Sequence, residues 1–461
     1  MKTKRAPKAR PTSSICGCLV MALACSTATA ALAASGAIDV DRMAAAGVRM
    51  LPGRHLRLFT DLPARDAVDE LPAVFDAAVP QWAAAFGVQP ADCATWRVDG
   101  FLIKDRATFA ALGVMPSEHP DFENGFARKD RLWLVEQPSD YYRRHLLLHE
   151  GTHAFMLSFL GGAGPGWYME GTAELFGSHA RQRDGKLQLD VFPASRDAVP
   201  MWGRVKILRD AAAADASWPL DAVLELDNSR AVGVEGYAWS WALAALLDNH
   251  PQFHDRFRKL ARVADRPNFN RRFRQAIGAD WGDLQCEWRA YAASVDYGYD
   301  FARMAMVHRE PRDFAAAQAA ATIRADRGWQ STGIVLPAGG KYRIAAAGRY
   351  VIAEDEQTGE PWPCEPGGVT LRWHAGRPLG ELLAALRPLT SLAGGQRPRR
   401  ADSGSSPAHR SFLPDFAHPQ PIGLAATITA ATDSVLYLRV NDAPAELAEN
   451  SGEVDVTVVA D

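Results

Sequence analysis

The chain is poor in the features that mark nucleic-acid binders, membrane proteins and disulfide scaffolds. Beyond its first 34 residues it carries 46 Lys and Arg against 54 Asp and Glu, so it has no basic excess with which to neutralise phosphates. Past that start, no run approaches the ~18 consecutive apolar residues that a membrane helix needs. The only later cysteines are Cys93, Cys286 and Cys364. An odd number allows at most one internal disulfide and leaves a thiol over, and no CxxC or Cys/His metal spacing is present. No internal repeat is found. What remains is globular in composition: 48% of the 461 residues are hydrophobic and 23% charged, which excludes a mostly disordered or fibrous chain. Single cores rarely grow past roughly 250–300 residues, so the length favours two structured domains.

The first residues have a character of their own. Lys2, Lys4, Arg5, Lys8 and Arg10, with no acid among them, precede an apolar stretch at 15–24 and a small-residue run at 28–34. This is the pattern of a secretory signal over residues 1–34, and the expected location is secreted or periplasmic. Residues 21–25 also fit a bacterial lipobox loosely, which would instead leave a lipoprotein anchored to a membrane through Cys25.

The expected fold is an α+β domain at 35–322 followed by an all-β sandwich at 323–461. Between 48 and 131, short alternating runs such as 55–59 and 96–103 mix with helical patterns, the best of which Pro72 and Pro80 interrupt. Residues 123–136 read as a turn followed by a strand. From 139 to about 297 the apolar residues recur at helical spacings. Near Ala325 the pattern turns to short β-rich runs, clearest at 334–336, 342–345, 369–373, 435–440 and 454–459. The tract 394–406 has the composition of a mobile loop.

Chemistry concentrates around His149-Glu150-Gly151-Thr152-His153. At ~3.6 residues per helical turn, His149 and His153 stack on one face and both imidazoles can reach one metal ion. Glu150 then lies beside the metal, where a general base must sit to take a proton from water. After a glycine-rich turn comes Trp167-Tyr168-Met169-Glu170-Gly171-Thr172-Ala173-Glu174, a second helix start with two carboxylates on one face. Either Glu170 or Glu174 could complete a three-ligand zinc site with one open position.

The pairing of His-Glu-Gly-Thr-His with Trp-Tyr-Met-Glu-Gly-Thr-Ala-Glu resembles the gluzincin metallopeptidases of the peptidase MA-like group, which carry HExxH and a later WxxEGxAE. The resemblance implies a zincin-type catalytic domain with an N-terminal mixed α/β part and a C-terminal helical part. It implies His149, His153 and Glu170 as ligands of one catalytic Zn2+, Glu150 as general acid/base, and Glu174 as the residue holding a ligand histidine through its free N–H. Sixteen residues separate His153 from Glu170, a shorter connection than in the aminopeptidase branch, which suggests a different branch. The strand-like residues 132–135 stand where such enzymes keep a substrate-aligning edge strand.

Weaker candidates surround this core. His145, one turn before His149, is placed to orient a ligand or touch substrate. Tyr237 opens an aromatic helix, and related folds place a tyrosine from such a segment where it donates to a tetrahedral oxyanion. His179 reads as a structural residue of the helix after Glu170. Tyr141, Tyr142, Arg143 and Arg144 read as docking the helix start.

In the C-terminal half, 436–452 and 339–348 resemble the PA-IL-like, galactophilic-lectin-type jelly-roll sandwich. That resemblance places Asp442 and Asn450 at calcium-ligand positions, and oxygen donors of this kind suit Ca2+. Glu449 replaces an asparagine of the family, and its sugar-holding tyrosine has no clear counterpart near Arg349 and Tyr350.

The expectation is thus an exported zinc metallopeptidase acting on a peptide or protein substrate, with an accessory sandwich. The alternative is an exported glycan-binding or adhesion protein with a vestigial zinc site. A third reading keeps the zinc hydrolase but gives it a non-peptide amide, such as a cell-wall component.

Overall fold

The computed structural model describes residues 38–119, 121–227, 231, 233–314, 317–355, 357–389 and 415–461. The signal segment, Cys25 and the tract 394–406 lie outside the described residues. Among those described, no helix is long and apolar enough to cross a membrane, and Cys93, Cys286 and Cys364 are all free.

The chain has mixed α and β content with several sheets. The first is built from β1 (Arg49–Pro52), β2 (Leu56–Thr60), β3 (Val98–Ile103), β4 (Gly125–Ala127) and β5 (Arg131–Val135), in the order β1-β2-β3-β5-β4. Strands β2, β3 and β5 run parallel, while β1 and β4 are antiparallel to their neighbours. Residues 132–135 are therefore internal to the sheet, and the edge strand beside them is β4, from the segment whose pattern reads as a turn. Three residues are too few to show a strand period.

Helix α1 (Leu71–Phe86) runs straight through both prolines expected to interrupt it. Pro72 sits in the first turn, where no amide donor is needed, and Pro80 forfeits one interior hydrogen bond. Burial of Phe75, Val79, Trp82 and Phe86 on its core face offsets that loss. Trp82 and Phe86 lie with ring centroids 5.8 Å and 5.7 Å from Phe155, which anchors α1 on helix α2 (Asp140–Phe159). Ser139 caps α2 by accepting the Tyr142 amide at 3.0 Å.

Helix α3 (Gly166–Gly177) follows a turn in which Gly161 and Gly164 take left-handed backbone. It stops before His179, which opens a small hairpin of β6 (His179–Arg181) and β7 (Leu187–Leu189) rather than continuing the helix. Helices α4 (Arg204–Ala213), α5 (Val234–Asn249) and α6 (Trp281–Ser294) complete the scaffold that positions the site.

From Arg312 onward the elements are strands, apart from short 3-10 turns. These strands are β8 (Arg312–Asp313), β9 (Gln318–Arg324), β10 (Gln330–Leu336), β11 (Lys341–Ala347), β12 (Tyr350–Glu354), β13 (Pro361–Cys364), β14 (Gly367–His374), β15 (Arg377–Pro388), β16 (Gln420–Pro421), β17 (Ala425–Thr429), β18 (Ser434–Val440) and β19 (Glu453–Ala460). One sheet has the order β14-β15-β18-β10-β8, with β16 also paired to β15; a second is β17-β11-β19-β9, and β12 pairs with β13 apart from both. Ile344 and Val456 of the four-stranded sheet share one core with Leu382 and Leu438 of the larger one. The outer face of β10 and β18 is also covered, because Val335 and Tyr437 pack with Ala290 of α6 and Met306. Arg387 bridges to Asp283 at 2.7 Å across the same junction.

Candidate metal centre

Helix α2 carries His145, His149 and His153 at four-residue intervals along one face. The Nε2 atoms of His149 and His153 lie 3.1 Å apart. Glu170, on the first turns of α3, brings Oε2 to 3.3 Å from each of them. Helix α3 reaches this depth because Gly171 presses on α5: a β-carbon there would lie 2.4 Å from the Ser240 carbonyl oxygen.

Donors held ~2.0–2.1 Å from a tetrahedral zinc stand about 3.3–3.4 Å from one another, so the three observed separations suit one such ion with little adjustment. Glu170 Oε2 and His153 Nδ1 are buried with no hydrogen-bond partner among the described residues. Burial acts against ionised Glu170, but His153 and His149 outweigh it and hold the carboxyl at about 2. Burial likewise acts against a charged His149, yet Glu170 and Glu174 push it up to about 10. The carboxylates thus create a demand for positive charge that a proton on His149 meets and that a divalent cation would meet better.

Glu150 sits between the two histidines in sequence and is buried, and burial raises its carboxyl above the ordinary range despite both imidazoles. Tyr237, on the first turn of α5, lies edge-on to His149 with ring centroids 5.8 Å apart. Burial, and then Glu170, Glu150 and Glu174, hold its hydroxyl protonated.

The two carboxylates of α3 have different surroundings. Glu174 Oε1 faces the Nδ1 side of His149 at 3.4 Å, while Oε2 lies 3.5 Å from His145 Nε2. Glu174 also accepts from Arg204 through Nε and Nη2, both at 2.9 Å, and from Trp202 Nε1 at 3.1 Å. His145, His149 and Glu174 are close enough to form a second group, but a guanidinium already occupies that carboxylate and opposes a second cation. Geometry therefore puts Glu170, not Glu174, on the face shared by His149 and His153.

His145, one turn further back, is not part of the group formed by His149, His153 and Glu170. It is buried beside Tyr142, with ring centroids 5.4 Å apart and planes at 11°. His179 stacks on Tyr141 at 4.5 Å, pairs Nδ1 with the Gly177 carbonyl at 2.8 Å and accepts from Arg144 Nε at 3.2 Å, a structural set of contacts. Arg143 pairs with Glu136 and Asp140, and Arg144 with Glu70, so the helix start is docked by arginines. Arg204 and Trp202 carry no sequence signal: they follow an irregular loop in which Met201 adopts φ 71°.

In the all-β part, Asp442 and Asn450 are buried together. Asp442 accepts from Asn450 Nδ2 at 2.8 Å and from the Ala443 amide at 2.7 Å. Burial raises Asp442 to about 6, and Asn450 Oδ1 has no partner among the described residues.

Fold and site together define a cluster of two histidines and one glutamate, buried but for the part-exposed His153 and carried by two helices beside a five-stranded sheet. No protein-family model matches the chain, and no curated protein does. Among solved structures, it is similar to one described as "EclA N-terminal domain; PllA-like lectin", at 17% identity over 32% of this chain and 98% of that one, with a TM-score of 0.21. A likeness that weak decides neither fold nor function.

Proposed function

We propose that the chain is an exported, zinc-dependent metallopeptidase of gluzincin type, hydrolysing peptide bonds in a peptide or protein substrate. The observation that carries this reading is the closure of His149 Nε2, His153 Nε2 and Glu170 Oε2 to 3.1–3.3 Å, with Glu150 beside them. Zinc, when bound, supplies a Lewis acid for the scissile carbonyl and for water.

The chain's own groups do the rest. Glu150 takes the proton of the attacking water and passes it to the leaving amine. Its raised carboxyl suits a group that must both accept and release a proton. Tyr237 donates to the oxyanion, and its burial keeps the phenol protonated for that task. Glu174 accepts from His149 Nδ1–H, which leaves the Nε2 lone pair for the metal. Arg204 and Trp202 hold Glu174 in turn.

The test is cleavage of a labelled protein substrate by wild type, Glu150→Gln and His149→Ala. Glu150→Gln keeps zinc and loses turnover, whereas His149→Ala loses the metal. Full activity in Glu150→Gln overturns the role given to that carboxylate.

A second reading, an exported glycan-binding protein, is favoured by Leu371 and Trp373 on β14, which are 93% and 62% exposed. Exposed aromatic and aliphatic surface of this kind suits stacking on sugar rings. Glycan-array binding without proteolysis would select it.

A further inference from the structure

Strand β4 touches the catalytic helix at one telling point. A β-carbon built on Gly125 would lie 2.2 Å from Glu150 Oε1, 2.7 Å from Cδ and 2.8 Å from Cγ, all inside van der Waals contact. Gly125 does not adopt left-handed backbone and pairs with Leu134 in an ordinary antiparallel ladder. The position needs glycine for room and not for conformation.

Neither backbone can readily yield. The ladder to β5 fixes β4, and buried Leu146, Leu147, Leu148 and Ala154 fix α2 on both sides of Glu150. The Glu150 carboxylate can yield, since it is the far end of a flexible side chain whose χ angles can rotate.

We infer that Gly125 is a positioning residue for Glu150: by lacking a side chain it leaves the slot in which the carboxylate rests, between the edge strand and the pair His149 and His153. The geometry stands by itself, while its consequence for turnover rests on the metallopeptidase reading.

The experiment compares wild type, Gly125→Ala, Glu150→Gln and the double variant, by zinc content and by kcat and KM on fluorescein-labelled casein. Gly125→Ala keeps zinc and KM and lowers kcat at least about 100-fold, as loss of a general base would. In the Glu150→Gln background, the trace of turnover left at high enzyme concentration falls no further with the same substitution, because its effect runs through the carboxylate. A wild-type kcat in Gly125→Ala, or an equal loss in both backgrounds, overturns the inference.

Two readouts need no activity. A crystal structure of Gly125→Ala shows the Glu150 carboxylate turned out of the slot; an unmoved carboxylate overturns the inference. Where Gly125→Ala folds poorly, a stability cycle decides: the added methyl leaves the melting midpoint unchanged in Glu150→Ala, whose slot is empty. An equal fall in both backgrounds shows that the methyl strikes something else and overturns it too. A wild type without zinc would sink the metallopeptidase reading, while these two readouts would still decide the inference.

Discussion

Arg204 grips Glu174 from both carboxylate oxygens at 2.9 Å, and the same guanidinium lies 5.2 Å over the ring of Tyr237. One buried cation thus braces the residue behind His149 and the phenol beside it. Replacing Arg204 with Met takes the guanidinium from the buried Glu174 carboxylate and leaves it only Trp202 and the two imidazoles, which costs up to about 3–5 kcal/mol. Thermal denaturation checks this, and a midpoint within a degree or two of wild type would contradict it. Arg204→Lys recovers only part of the loss, because an ammonium cannot make the two-pronged contact.

Glu174→Gln weakens the hold on His149 without touching the shared face. Zinc affinity falls about 10–100-fold, the usual effect of losing a partner behind a ligand. Competition with a chromophoric chelator measures it, and an unchanged affinity would show that Glu174 does not orient the ligand.

Gly171→Ala drives a methyl group toward the Ser240 carbonyl oxygen, which a β-carbon would approach to 2.4 Å. Helices α3 and α5 must separate, at a cost of about 1–3 kcal/mol. The melting midpoint falls, and zinc binding weakens with it because Glu170 is the preceding residue. A variant as stable as wild type would mean that the helices yield freely.

Buried His179 has its pKa lowered to about 3 from 6.5 by burial, so the folded chain favours neutral imidazole. A lowered histidine contributes stability that is complete above about pH 6.5 and fades as the pH falls toward 3. The midpoint of wild type therefore drops faster below pH 6 than that of His179→Gln. Parallel curves would remove His179 from the acid sensitivity.

Asp442 behaves in the opposite sense. Burial raises it to about 6 from 3.8, so its contribution is complete below 3.8 and is lost as the pH rises through about 6. Asp442→Asn flattens that part of the stability profile. Calcium held by Asp442 and Asn450 would raise the wild-type midpoint at pH 7.5 and leave Asp442→Asn unaffected. A midpoint unmoved by calcium removes the ion from the account.

Much of the candidate site is legible in the sequence because it is local. Four-residue spacing puts His149 and His153 on one face of α2, and the turn into α3 returns Glu170 to them within a short stretch of chain. The partners of Glu174 are not legible: Trp202 and Arg204 arrive from 28 and 30 residues further on, out of a loop without periodicity. Gly125 is equally silent, since a three-residue strand carries no pattern and the need for room there exists only once Glu150 packs against it.

In the all-β part, β10, β11, β14, β18 and β19 follow from their β-branched and aromatic runs. Strand β15 does not, because its Glu-Leu-Leu-Ala-Ala-Leu stretch has the composition of a helix. Pairing with β14 and β18 overrides that local preference.

The most direct test of the whole account is the metal content of the purified protein beside that of Glu150→Gln and Glu170→Ala. The account predicts one tightly held zinc per chain in wild type and in Glu150→Gln, and none in Glu170→Ala. A wild type without stoichiometric zinc, or a Glu170→Ala that binds it as well, would contradict the three-ligand centre on which the proposed function depends.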